Sequence, residues 1–168
     1  MVLLLAIAFN TQLPVLPVQL LWINMTTVLL LGTALVFETP EPGLMDRPPR
    51  PTDAQLLDRH MQWRTLVMSI AVAVVTFALF EWSLWRGSSL ATAQTVSVTA
   101  IVFAEAGYLF ACRSLVWPAW RLPASNPWVW FGVVAMFLTQ VAFSHVPLLN
   151  RLFGSAPLDL VEWAMVLG

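Results

Sequence analysis

Three oxygen-bearing side chains sit at depths where a lipid-facing helix has no use for them. Asn24 and Thr27 lie three residues apart, hence on one helix face, within an apolar run over residues 18–37. Glu105 stands between Ala104, Ala106 and Gly107 in another apolar run, seven residues before Cys112. An amide, a hydroxyl and a carboxylate together are ligands that hard cations such as Ca²⁺ accept. An ionised carboxylate at that depth costs several kcal/mol unless something offsets it, so Glu105 is neutral and hydrogen-bonded to a neighbouring helix, paired, or coordinating a cation. The small residues around it permit close approach of another helix in each case. Gln94, 11 residues and three turns earlier, shares its face. Thr95, Ser97 and Thr99 add hydroxyls, but these mostly bond back to their own helix and read as packing.

The elements that must position these groups are membrane spans. Of 168 residues 59% are hydrophobic and 10% charged, against about 25% charged in an average soluble domain, so the chain is an all-α, multi-span membrane protein. Residues 18–37, 66–85, 91–112 and 128–146 are each long enough to cross a hydrocarbon core of about 30 Å at about 1.5 Å per residue. Residues 1–9 and 158–168 are apolar but about half that length, and read as two partial spans. No basic residue precedes the first of them and no small-residue cleavage site follows, which argues against a signal peptide. The expected fold is a bundle of about four full transmembrane helices plus two partial ones, forming a single domain over residues 1–168.

Between the spans, residues 10–17 form a proline-containing turn, 38–62 a proline-rich charged loop, 86–90 a tight turn, 113–127 a loop rich in proline and tryptophan and 147–157 a further loop. Trp63, Trp82 and Trp85 read as interfacial anchors of the second full span, and Glu81, about a turn from its end, as a carboxylate reaching headgroups or water. His145 is an interfacial polar residue, with no second His, Cys or carboxylate at metal-ligand spacing, and the lone Cys112 a buried, inert thiol. Basic residues form no patch, so nucleic acid is excluded as a partner.

There is no lysine, and orientation follows from arginine alone. Arg47, Arg50, Arg59, Arg64, Arg113 and Arg121 lie in or beside the two long loops, whereas the opposite side holds Arg86 and Arg151. The long loops therefore face the cytoplasm. A cysteine placed at Thr52 in a Cys112→Ser background should react with impermeant thiol reagents only after the membrane is opened. Labelling in sealed, right-side-out cells would overturn the orientation.

The segment Pro17-Val18-Gln19-Leu20-Leu21-Trp22-Ile23-Asn24, followed by Met45-Asp46-Arg47-Pro48-Pro49-Arg50, resembles the sixth transmembrane helix and adjoining cytoplasmic loop of type II P-type ATPases, such as sarcoplasmic-reticulum-type calcium pumps and related bacterial cation pumps. A looser resemblance extends to Leu158-Asp159-Leu160-Val161-Glu162-Trp163, similar to the start of the family's tenth helix. The resemblance implies helices five to ten of such a pump, with Asn24 and Thr27 as sixth-helix cation ligands and Glu105 as the eighth-helix glutamate. Val28 stands where the calcium pumps place an aspartate that bridges two ion sites, which points to a single site, another cation, or an ion held mainly by other helices. The family's Asp-Lys-Thr-Gly-Thr phosphorylation sequence and glycine-rich phosphate loops do not occur in this sequence, so the polypeptide is not expected to hydrolyse ATP by itself. The implied function is the C-terminal transport domain of a cation pump in a bacterial plasma membrane. It needs no cofactor of its own; ATP and Mg²⁺ serve the complete pump, and the cation, Ca²⁺ among the candidates, is cargo. Its partners are the bilayer and an N-terminal half carrying the actuator, phosphorylation and nucleotide-binding domains and the first helices. The alternatives are a stand-alone, non-catalytic membrane binding or scaffold module, and a truncated gene product.

Overall fold

The computed structural model describes residues 1–38, 59–112 and 126–167, with the side chains of His60, Ala111 and Cys112 excepted. The block at 45–50, Arg113, Arg121 and the Cys112 thiol lie outside the described residues. In chain order the elements are α1 (Val2–Ala8), α2 (Pro17–Thr26), a π-helical stretch (Thr27–Gly32), α3 (Thr33–Val36), α4 (Arg59–Trp85), α5 (Leu90–Cys112), α6 (Pro127–His145), α7 (Pro147–Phe153) and α8 (Leu160–Leu167). No strand occurs among the described residues. Four continuous helical segments are long and apolar enough to cross a membrane: Pro17–Val36, Met61–Trp85, Leu90–Phe110 and Pro127–His145. The molecule is an all-α, multi-pass integral membrane bundle.

Helix α5 is the central post. Ala93, Val96, Val98 and Val102 on it are fully enclosed, and so are Thr95, Ser97 and Thr99. The hydroxyls of those three each donate to the carbonyl four residues back, at 2.8, 3.1 and 2.7 Å, so none of the three is stranded. Around α5 pack Ile23 and Leu31 from the first span, Ala34, and Val129, Met136 and Phe143 from α6. The α4–α5 hairpin turns through Gly87, whose φ of 86° suits a residue without a Cβ. The outward faces are apolar: Val67, Ile70, Val74 and Val75 on α4 are exposed, as are Val18, Leu21, Met25, Val28 and Leu29 along the first span.

Two boundaries differ from the sequence expectation. Helix α4 begins by Arg59, so residues 59–65 belong to the helix and not to the loop; Arg59, Met61, Gln62 and Arg64 are good helix formers whose polarity hides a helical extension beyond the apolar stretch. The segment after the fourth span is no plain loop, because residues 147–153 form α7, started by Pro147 and closed by Gly154 at φ 64°. Helix α8 opens with a reciprocal cap: the Asp159 N–H donates to Glu162 Oε2 at 2.9 Å and the Glu162 N–H to Asp159 Oδ1 at 2.7 Å. Ser88 also donates to Glu162 Oε1 at 2.8 Å, and Arg86 approaches Asp159 at 3.6 Å, which fastens α8 to the α4–α5 turn.

Candidate functional site

The first span changes its winding where its polar residues lie. Helix α2 is regular to Thr26, and from Thr27 the backbone takes the wider i→i+5 pattern as far as Gly32 before α-helical winding resumes at Thr33. Single π-helical insertions of this kind concentrate at functional sites, because the wider turn re-aims carbonyls and side chains. In a membrane-spanning helix such irregularity persists only where protein or a polar cavity satisfies the backbone. Thr27, the first residue of the stretch, donates its hydroxyl to Ile23 O at 2.8 Å, and the stretch packs against α5, the helix that carries Glu105. A hydroxyl and a carboxyl thus stand on two spans that pack together at membrane depth.

Glu105 itself is half-buried, with Oε2 enclosed and without a hydrogen-bond partner. Its carboxyl also lines a cavity of about 310 Å³ between α1, α4 and α5, together with the hydroxyl-bearing Thr65, Ser69 and Tyr108. That environment has oxygens and space but no cationic side chain in the lining. Asn24 is placed differently. It is exposed on the open side of α2, in line with Leu21, Met25 and Val28, rotated away from the Thr27–Glu105 contact. So the structure brings Thr27 and Glu105 together and leaves Asn24 at the edge of that pair, facing outward. Among the described residues no group of three or more His, Cys, Asp and Glu could hold a metal ion.

Several other residues singled out in the sequence have structural work to do. Gln94 is buried and donates to Leu13 O at 2.9 Å, tying the turn between α1 and α2 to α5, far along the helix from Glu105. Glu81 is half-buried, with one carboxyl oxygen enclosed and unpartnered. His145 is exposed at the end of α6, with Nδ1 2.8 Å from Ser144 Oγ and its ring stacked on Trp163. Gly107 offers no close approach beside Glu105, since a Cβ there would meet nothing within 4 Å; the small residue on that face looks into open space. The tight helix crossing is instead at Gly132 on α6, where a Cβ would lie 2.7 Å from Leu30 O and 3.1 Å from the Ala34 Cβ.

Two buried amides escaped the sequence reading. Gln19 accepts from the Leu16 N–H at 3.0 Å and donates to Phe153 O at 3.2 Å, pinning the start of α2 to the end of α7. Gln140, fully enclosed on α6, accepts from Trp22 Nε1 at 3.2 Å and donates to Thr99 Oγ1 at 2.9 Å. The signal for Gln140 was present: an amide deep in an apolar span, as conspicuous as Asn24.

Residues 12–168 match the family described as "Cation transporting ATPase, C-terminus". The chain is 43% identical over 167 residues to the Probable cation-transporting ATPase F of Mycobacterium tuberculosis, covering 99% of this chain and 18% of that protein. It is 29% identical over 174 residues to the Cation-transporting ATPase pma1 of Synechocystis, with coverages of 99% and 19%. To the Calcium-transporting ATPase of Bacillus subtilis it is 28% identical over 169 residues, with coverages of 100% and 19%. The chain spans about a fifth of the length of these relatives. Matched over nearly all of its length, and built as the multi-pass bundle such a match requires, the chain belongs to the C-terminal family of cation-transporting ATPases, the membrane-helical end of type II P-type pumps.

Proposed function

We propose that this chain forms the transport end of a bacterial plasma-membrane cation pump and supplies Thr27, Glu105 and Asn24 to one cation site. The observation that supports this reading most is the π-helical stretch that begins at Thr27 within a spanning helix and packs against α5, where Glu105 keeps an enclosed, unpartnered carboxyl oxygen. A hard cation replaces its hydration shell with oxygens, and a site built across two helices can change its ligand distances when those helices move. Carboxylate, hydroxyl and amide together fall short of the six to eight oxygens that Ca²⁺ takes, so the remaining ligands come from elsewhere in a longer pump or from water. Asn24 is exposed and turned away from this pair, so it joins such a shell only where other parts of a longer pump cover the open side of α2. Val28, also exposed there, offers no oxygen, and the reading is accordingly one site with one carboxylate.

Ca²⁺ is the cation to test first, since the Bacillus subtilis relative is named a calcium-transporting ATPase. The chemical step belongs to the rest of the pump. The bilayer covers the apolar outer faces, and in a complete pump the actuator, phosphorylation and nucleotide-binding domains supply ATP hydrolysis with Mg²⁺.

The test is a chimera in which this chain replaces the matching C-terminal part of the mycobacterial relative. Cation-stimulated, vanadate-sensitive phosphoenzyme formation is the expected result. A chimera that reaches the membrane intact yet forms no cation-dependent phosphoenzyme rejects the reading. The purified chain alone should show no vanadate-sensitive ATP hydrolysis above background, and such hydrolysis in a preparation free of host pumps would contradict the assignment of the chemistry to other domains.

A further inference from the structure

Three spans that must hold a fixed relation for Thr27 and Glu105 to meet are joined by one side chain. Trp22, five residues before Thr27, donates from Nε1 to Gln140 Oε1 at 3.2 Å. Gln140 donates from Nε2 to Thr99 Oγ1 at 2.9 Å, and Thr99 donates onward to Thr95 O at 2.7 Å. Thr99 lies six residues before Glu105 on α5. Gln140 and Thr99 are both fully enclosed, with no exposed surface to let water substitute for either partner.

The direction of every bond in this relay is fixed by chemistry. An indole nitrogen only donates, so Gln140 must turn its carbonyl oxygen to Trp22 and its NH₂ to α5. The Thr99 hydroxyl accepts from that NH₂ and sends its own hydrogen to Thr95 O. Neither end can be reversed without stranding a buried donor. The indole is further gripped by rings on both sides: it stacks on Phe143, three residues along α6 from Gln140, with centroids 4.9 Å apart, and meets Phe153 edge-on at 5.1 Å. Sliding the first span against α5 would break the Trp22–Gln140–Thr99 link before any other polar contact could replace it.

We propose that Gln140 is a positioning residue for cation binding: its amide, bonded to Trp22 on one side and Thr99 on the other, sets the height of α2 against α5 and hence the separation of Thr27 from Glu105. The inference rests on the cation-site reading above. Gln140 touches no cation and contributes no ligand; it acts through the two helices it joins.

The chimera described above provides the test, read as the Ca²⁺ concentration giving half-maximal phosphoenzyme. Gln140→Met, similar in volume but unable to hydrogen-bond the indole or the threonine, should raise that concentration about tenfold, because the two ligands it positions through α2 and α5 lose their fixed separation. Maximal phosphoenzyme should stay at the parent level. Thr99→Val, which cuts the same link while leaving the Trp22–Gln140 bond, should act in the same direction, and Thr99→Ser, which keeps the hydroxyl, should restore parent behaviour. Should Gln140→Met fail to reach the membrane, Thr99→Val against Thr99→Ser decides the matter.

Glu105→Gln measured alongside separates two failures. If Glu105→Gln weakens cation dependence while Gln140→Met and Thr99→Val leave it at the parent value, the positioning role is wrong and the site reading stands. If all three leave it unchanged, the site reading falls and the positioning role falls with it. An equal loss in Thr99→Val and Thr99→Ser also overturns the proposal, because the hydroxyl would then not be what matters.

Discussion

Glu105→Gln in the chimera with the mycobacterial relative is expected to raise the cation concentration for half-maximal phosphoenzyme tenfold or more, about 1.4 kcal/mol of binding free energy. The substitution keeps the shape of the side chain and removes its charge, so the loss reads the carboxylate and not the packing. The expectation follows from the position of the group. Its Oε2 is enclosed without a hydrogen-bond partner, and its helix packs against the π-helical stretch that Thr27 begins. A carboxyl kept at membrane depth without a partner contributes little to folding, so replacing it by an amide should cost little stability. Thermal unfolding of the purified chain in detergent supplies the second half of the test: Glu105→Gln should melt at the parent temperature or above it. Asn24→Ala should weaken cation dependence in the same direction, through loss of an amide oxygen on the open side of α2. Unchanged cation dependence in a folded Glu105→Gln pump would mean that the carboxyl is a packing group.

The parts of this arrangement that were legible in the sequence are those written in composition and in single polar residues on apolar runs. Four spans follow from hydropathy because the bilayer sets one length for all of them, and the observed helices begin and end within a few residues of the apolar runs except at α4. There the helix outlasts its apolar stretch, and hydropathy cannot see a helical turn made of Arg59, Met61, Gln62 and Trp63. Glu105 stood out because of its cost at membrane depth. The threonines and serine of α5 were legible too, because a helical hydroxyl commonly finds its partner in the carbonyl one turn back.

What the sequence did not disclose is which faces meet. Asn24 and Thr27 are about a sixth of a turn apart on the helix, and periodicity places them together. The packing of α5 against the first span divides them, taking Thr27 into the interface and leaving Asn24 outside it. Gln140 was visible as an isolated amide, but its role depends on the indole of Trp22 and the hydroxyl of Thr99 arriving from two other helices, 118 and 41 residues away in sequence. Nor does the local sequence announce the π-helical stretch at Thr27–Gly32, since Thr-Val-Leu-Leu-Leu-Gly contains no proline. Its position opposite Gly132 shows where the widened turn is accommodated: a carbonyl of that stretch, Leu30 O, comes so near to α6 that only a residue without a side chain fits.

Two glycines in neighbouring spans should therefore respond to alanine with opposite sign. Helix interiors favour alanine over glycine by up to about 1 kcal/mol, because glycine loses more backbone freedom on folding. At Gly107, where a Cβ meets nothing within 4 Å, that preference acts alone, and Gly107→Ala should raise the melting temperature of the detergent-solubilised chain or leave it unchanged. At Gly132 the same methyl would lie 2.7 Å from a backbone oxygen and 3.1 Å from the Ala34 methyl, and neither neighbour is the free end of a flexible side chain. Helix α6 or the π-helical stretch must move, and overpacking of this kind costs about 1–3 kcal/mol, enough to outweigh the helix preference. Gly132→Ala should accordingly lower the melting temperature by several degrees. The displacement should also reach the site, because α6 carries Gln140 two turns farther along and the π-helical stretch carries Thr27. In the chimera Gly132→Ala is thus expected to weaken cation dependence as well as stability, whereas Gly107→Ala, one turn from neither contact but only two residues from Glu105, should leave it alone. Equal responses at the two positions would show that the crossing at Gly132 is loose and that the close approach to Leu30 does not shape the first span.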